Sequence, residues 1–169
     1  KGAPAGFEGA GTVVAAGAGA EALIGKRVSF VATASGAWAE YAMTDGMLTG
    51  LAIALRDVET AADVRCVVLT GAGGAFCAGG DVKGFAEGGG AGSTAGTSWD
   101  EGVHQQRLSH RETAGALFNM PKPTIAAIGG AAAGAGLSLA LACDMRIALD
   151  SAVMTTAFAR VGLAGDYGG

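Results

Sequence analysis

The sequence predicts an α/β domain built on a parallel sheet and preceded by a β-rich leading segment. Two observations predict the main part. Continuous apolar, β-branched runs bounded by glycine occur at 64–70 (VRCVVLT) and 124–130 (TIAAIGG), and helical periodicity fills the stretches between such runs. Unbroken apolar runs mark strands covered on both faces, and strands that alternate with helices pair in parallel. A third observation sets the front apart: residues 1–43 consist of short β-rich runs cut by glycine turns.

In chain order, TVVAAG (12–17), KRVSFVAT (26–33) and AWAEYAM (37–43) read as short strands with the texture of a small barrel fragment. From Met47 the pattern changes, and Met47, Leu51, Leu55 and Val58 recur along one helical face. That spacing predicts a helix of about three turns, ending before Asp63. VRCVVLT is then a strand buried on both faces. GGGAGSTAGTSW (88–99) lacks core-forming residues and reads as a mobile loop or lid. A polar helix follows over 101–119, turning Val103, Leu108, Ala114 and Leu117 or Phe118 inward. It must stop at Pro121-Lys122-Pro123, because proline removes a backbone donor and clashes with the preceding turn. TIAAIGG gives the second buried strand, GAGLSLALA (134–142) a second buried helix, and MRIAL (145–149) a third strand. The sequence contains neither internal repeats nor heptads.

Composition narrows the class. Half of the 169 residues are hydrophobic, enough for a core, and the 31 glycines follow no collagen period. A net charge of −4, with no cluster of Lys and Arg, argues against a nucleic-acid partner. Cys66, Cys77 and Cys143 are odd in number and sit in apolar runs without a C-x-x-C pair, which fits a reduced, cytoplasmic setting. No basic stretch leads into an apolar one at the front, so no secretory signal is expected. Pro123 to Cys143 carries no charge and reaches membrane-spanning length, with a Gly130-x-x-x-Gly134 spacing. Its Ala and Gly content and the break at Gly129-Gly130 predict a strand, a turn and a helix instead, and no membrane partner.

Three successive blocks then carry a resemblance: VRCVVLTGAGGAFCAGGDVKGF (64–85), PKPTIAAIGGAAAGAGLSLALACDMRIA (121–148) and FARVGLAGDYGG (158–169). In order and spacing they resemble the enoyl-CoA hydratase/isomerase (crotonase) superfamily, from about residue 42 to 169. The resemblance implies a crotonase-type ββα spiral core and enolate chemistry on an acyl-CoA thioester. It implies two backbone N–H groups around the thioester oxygen, from Gly80 and from Ala135. Glycines suit that task, because backbone donors approach a carbonyl closely only where side chains are small. The start of the second buried helix would add its partial positive charge. The two glutamates that activate water in the family's hydratases correspond to Ser138 and Phe158, neither of which does that work. Asp166 occupies the place of a catalytic aspartate found in some isomerases and a dehalogenase of the superfamily. An isomerase is therefore expected rather than a two-glutamate hydratase. Ala78, Asp81, Val82 and Gly134 join Ser138 and Phe158 as substrate-lining candidates, and Lys83 is a weak candidate for a CoA phosphate. Cys77 reads as a small apolar filler, His104 and His110 as solvated, and Asp144 as structural. No cofactor is implied beyond the coenzyme A of the substrate, and a homotrimer is expected from the family.

GFEGAGTVVAAGAGAEALIGKRVSFVATASGAWAEYA (6–42) resembles a different family, the zinc-free quinone oxidoreductases of the medium-chain dehydrogenase/reductases, whose substrate domain is a GroES-like β-barrel. Phe7 and Glu8 fall where zinc enzymes carry a His-Glu pair, so no metal is expected. Gly17-x-Gly19-x-x-Ala22 imitates a dinucleotide fingerprint, but no long helix follows and it reads as a turn. Two units are expected, 1–43 and 44–169, joined near Ala42-Met43-Thr44 in a chimeric arrangement. The crotonase part would then be truncated, lacking its first strands and its C-terminal helices and exposing apolar surface. Two other functions stay open at this stage: a non-catalytic acyl-CoA binding or assembly fragment, and an NADPH-dependent quinone reductase fragment.

Overall fold

The computed structural model describes residues 8–12, 27–33, 42–43, 45–71, 74–80, 98–162 and 164–168. Its centre is a five-stranded sheet in the order β1-β2-β4-β6-β8, formed by β1 (Glu8–Thr12), β2 (Arg27–Thr33), β4 (Val67–Gly71), β6 (Thr124–Ile128) and β8 (Met145–Ala148). β1 runs antiparallel to β2, and every other pairing is parallel, with Val67 opposite Thr124 and Ile125 opposite Met145. Two short parallel ladders sit beside it. One joins β3 (Ala42–Met43) to β5 (Gly79–Gly80), the other β7 (Ala132–Ala133) to β9 (Met154–Thr155). The expected parallel α/β architecture is therefore present. The leading segment contributes to it directly, since β2 pairs with β4 and the strands on either side of residue 43 share one sheet. The expected strand residues 13–17 and 37–41 and the expected turn over 17–22 lie outside the described residues.

Helix α1 (Asp45–Thr60) forms where the apolar stripe predicts it. Met47, Leu51, Leu55 and Val58 are all buried, and most of this face joins Leu69, Phe76, Leu117, Ile128 and Leu139 in one core cluster. The end of α1 is stopped from outside: the Lys122 ammonium donates to the carbonyls of Val58 and Ala61, the latter at 2.6 Å. A cation there satisfies carbonyls that have no intrahelical donor and meets the negative end of the helix dipole. The Pro-Lys-Pro turn thus ends one helix and clamps another.

The second helical stretch differs in detail from expectation. Helix α2 (Trp99–His110) starts two residues before the expected 101, because Ser98 caps it: its Oγ accepts from the Glu101 N–H at 3.2 Å, with Asp100 and Glu101 in the first turn. The rest of the expected lid, 88–97, lies outside the described residues. After His110 the helix widens into a π turn, Arg111–Gly115, and closes as the short α3 (Ala116–Phe118). Thr113 in that turn is fully buried and donates to the Ser109 carbonyl at 2.6 Å. Of the two candidate inward residues, Leu117 is buried and Phe118 is exposed.

Two strand expectations are corrected. The run 64–70 becomes a strand only from Val67, and it is not buried on both faces: Val67 and Leu69 are buried while Val68 and Thr70 are half-buried. Successive strand residues point to opposite faces, and only one face of β4 meets the helical core. β8 has all four residues exposed, since among the described strands it pairs only with β6 and its faces are uncovered. Asp144 is structural, as expected: its Oδ2 accepts from the Thr124 N–H at 2.8 Å and from the Thr124 hydroxyl at 2.9 Å. The uncharged stretch 123–143 resolves into β6, a turn, β7 and helix α4 (Ala135–Ala142). Among the described residues no helix is long and apolar enough to cross a membrane.

Candidate active site

The site is laid out by backbone pairing between two loops. After β4 the chain returns through Phe76 and Cys77, whose N–H groups both donate to the Ala131 carbonyl at 3.0 Å. The Ala133 N–H donates to the Cys77 carbonyl at 2.9 Å, and the Gly134 N–H to the Thr155 carbonyl at 3.0 Å. Ala132 to Gly134 are thereby held between the 77–80 loop on one side and β9 on the other, directly before α4 begins at Ala135.

Glycine permits this closeness at two positions. Gly79 has φ 93° and its missing Cβ would lie 2.8 Å from the Ala133 carbonyl oxygen and 3.7 Å from the Ala135 nitrogen. A Cβ on Gly136 would overlap the carbonyl and side chain of Cys77. The start of α4 therefore packs on the 77–80 backbone with no side chain between, and its first-turn amides have no acceptor within their own helix. Cys77 is buried at this contact, and burial pushes its thiol pKa up, as expected of an apolar filler.

Around this point the sequence-predicted residues fall into two groups. Gly79, Gly80, Gly134 and Ala135 meet at the start of α4. Phe158, in a 3-10 turn over Phe158–Val161, joins them, its ring edge 3.6 Å from where a Cβ on Gly134 would stand. Ser138 lies one turn along α4, buried, with its hydroxyl 3.4 Å from the Gly134 carbonyl. Ala78 is exposed beside them. Asp81, Val82 and Lys83 lie outside the described residues.

Asp166 belongs to the second group, at the end of α2. Ser109 Oγ and the Tyr167 hydroxyl stand 3.4 Å apart, and the His110 and Tyr167 rings pack with centroids 3.9 Å apart at 42°. Burial pushes the Asp166 carboxyl pKa up, and nearby His110 opposes the shift. Burial pushes the His110 imidazole pKa down, and Asp166 opposes that. His110 is thus half-buried and coupled to a carboxyl, not solvated as the polar helix suggests; His104 on the same helix is exposed. A cavity of about 370 Å³ lies between Ser138 on α4 and His110 and Tyr167, with Arg111, Ala114 and Leu141 also in its wall. Sequence reading missed His110 and Tyr167. Tyr167, next to Asp166 in the third block, was the available signal.

A backbone cradle at a helix start can hold a polar carbonyl, and a half-buried carboxyl can move a proton. The family model described as enoyl-CoA hydratase/isomerase matches residues 38–169. The chain is 40% identical over 125 residues to 1,2-epoxyphenylacetyl-CoA isomerase of Escherichia coli, which covers 74% of this chain and 45% of that protein. It is 38% identical over 130 residues to enoyl-CoA hydratase ACTT3 of Alternaria alternata, covering 74% of this chain and 39% of that protein. A crystal structure of an enoyl-CoA hydratase from Polaromonas sp. JS666 superposes with a TM-score of 0.70 at 33% identity, over 85% of this chain and 52% of that one. The chain spans about two-fifths to one-half of the length of these relatives. With the parallel sheet, the ordered glycine blocks and a match over most of its length, this chain belongs to the enoyl-CoA hydratase/isomerase family.

Proposed function

We propose that the chain acts on acyl-CoA thioesters through an oxyanion-stabilised enolate, with double-bond isomerisation as its reaction. The observation that carries this reading is the approach of the Gly79–Gly80 backbone to the first residues of α4, free of side chains. The N–H groups of Gly80 and Ala135 would receive the thioester oxygen, where charge develops as a neighbouring C–H loses its proton. The Asp166 carboxylate would accept that proton and return it to a different carbon, so the double bond moves and the net proton count does not change. A carboxyl whose pKa burial raises is a better base for a weak carbon acid than an ordinary surface carboxylate. Ser138 and Phe158 would line the acyl pocket with Gly134, while Ala78, Asp81 and Val82 would meet the substrate near Gly80. The residues favour this over hydration, because Ser138 and Phe158 bring no carboxylate to activate water. The reading needs no cofactor beyond the coenzyme A of the substrate, and a homotrimer is the proposed assembly.

The test is calorimetric titration of the purified chain with a non-hydrolysable enoyl-CoA analogue, with NADPH alongside, followed by an assay for double-bond migration. Saturable binding of the analogue alone, with migration, supports the proposal. Binding without migration would leave a non-catalytic acyl-CoA binder. NADPH binding without CoA binding would return the function to the quinone reductases.

A further inference from the structure

Where α2 passes into the π turn, Ser109 and His110 meet Asp166 and Tyr167 from the far end of the chain. The hydroxyl pair Ser109–Tyr167 and the packing of the Tyr167 ring on His110 hold the 166–167 segment against the helix. Within this cluster His110 Nε2 and Asp166 Oδ1 are both shut off from water, and neither has a hydrogen-bond partner among the described residues. An isolated buried polar atom is costly, and a native fold seldom leaves two side by side. Here the chemistries are complementary. An imidazole nitrogen and a carboxyl oxygen are satisfied together by one shared proton.

We propose that His110 is a positioning residue for Asp166: in the working protein its imidazole hydrogen-bonds the Asp166 carboxyl, fixes its orientation beside Tyr167 and sets its charge. The inference deepens the reading of Asp166 as the proton carrier and rests on it. Each group's charge favours the charged form of the other, as expected of an acid and a base held near one another. The surroundings leave this pairing dominant. Arg107 and Arg111, on the same helical stretch, are exposed, and Glu112 faces Arg56 at 3.6 Å on the α1 side. The α4 wall of the cavity contributes Ser138, Leu141 and Ala142, none of them charged. Tyr167 is engaged through its hydroxyl with Ser109.

The chain has two histidines, and His110 is told apart from His104 by assignment. In an NMR pH titration of the isotopically labelled chain, Asp166→Asn should lower the His110 midpoint by about one pH unit or more, since an opposite charge at close range has that effect. A dispersed amide spectrum like that of the wild type reports that the variant remains folded. Asp166→Glu should bring the His110 midpoint back toward the wild type. In the unaltered chain the Asp166 carboxyl carbon should show a second inflection at the His110 midpoint, a reading that needs no variant. An unmoved His110 midpoint in Asp166→Asn, or an Asp166 carboxyl that ignores the His110 titration, would overturn the pairing. These signals are read without substrate, so a chain that fails to turn over CoA esters can still show the pair, and an active chain can lack it. If turnover is found, His110→Gln should move the acid limb of the kcat/KM profile to higher pH while leaving analogue affinity unchanged.

Discussion

Thr124 and Asp144 are tied by three hydrogen bonds: the Asp144 carboxylate accepts from both the amide and the hydroxyl of Thr124, and the Asp144 N–H donates to that hydroxyl at 2.8 Å. Thr124 is fully buried at the start of β6, so the bonds fix where that strand begins and where the chain re-enters the sheet as β8. Asp144→Ala removes the acceptor of the buried Thr124 amide and hydroxyl hydrogens and should cost about 1–3 kcal/mol in denaturant unfolding. The bonds from Thr124 hold the Asp144 carboxyl below its ordinary range. Its contribution is therefore present above the unfolded carboxylate value and lost as pH falls through the folded one, so the gap between wild type and variant should narrow in acid.

Glycine substitutions should separate by surroundings. In α1, a Cβ on Gly50 meets nothing within 4 Å, and Gly50→Ala should raise stability by about 0.5–1 kcal/mol, the ordinary preference of a helix interior. Gly136→Ala drives a methyl into the Cys77 backbone and should cost about 1–3 kcal/mol. It should also abolish analogue binding, because α4 and the 77–80 loop can no longer meet. Thermal unfolding of the two variants together checks the sign of both.

What could be read before folding follows from the range of each interaction. The stripe Met47, Leu51, Leu55 and Val58 is a local pattern, and it is the buried face of α1. The glycine blocks were readable as places where side chains must be small, and Gly79 packs closely on Ala133 there. The π turn was not readable, since RETAG continues an ordinary helical sequence and the widening appears only in three dimensions. The pairing of β2 with β4 was equally hidden: both are apolar runs, and neither names its neighbour. His110 looked solvated because its helix is polar, and residue 167, arriving from the far end of the chain, packs on its ring.

The exposed row on β8 gives a solubility prediction. Met145, Ile147 and Leu149 expose half or more of their surface, and Val153 and Met154 do the same nearby. An apolar edge strand is a template for further pairing, and charge on such an edge suppresses it. Ile147→Lys should lower the light scattering of concentrated solutions while leaving the unfolding midpoint nearly unchanged. Equal scattering would place self-association elsewhere.

Asp166→Asn should separate activity from stability. If Asp166 carries the proton, the amide cannot accept it, and isomerisation should fall by about 100-fold or more, the ordinary contribution of a positioned acid-base group. Binding of the enoyl-CoA analogue should stay close to wild type, because the thioester oxygen is assigned to backbone donors. Stability should move the other way. Burial raises the Asp166 carboxyl pKa, so the fold prefers its protonated form. The stability this preference contributes is fully present below the unfolded carboxylate value of about 4 and is lost as pH rises through the folded one. An amide stays neutral throughout. The variant should therefore melt at or above the wild-type temperature at neutral pH, with the difference vanishing in acid. A variant that is equally active would remove Asp166 from the chemistry. One that is inactive but less stable at neutral pH would mean that the ionised carboxylate is held by more than His110.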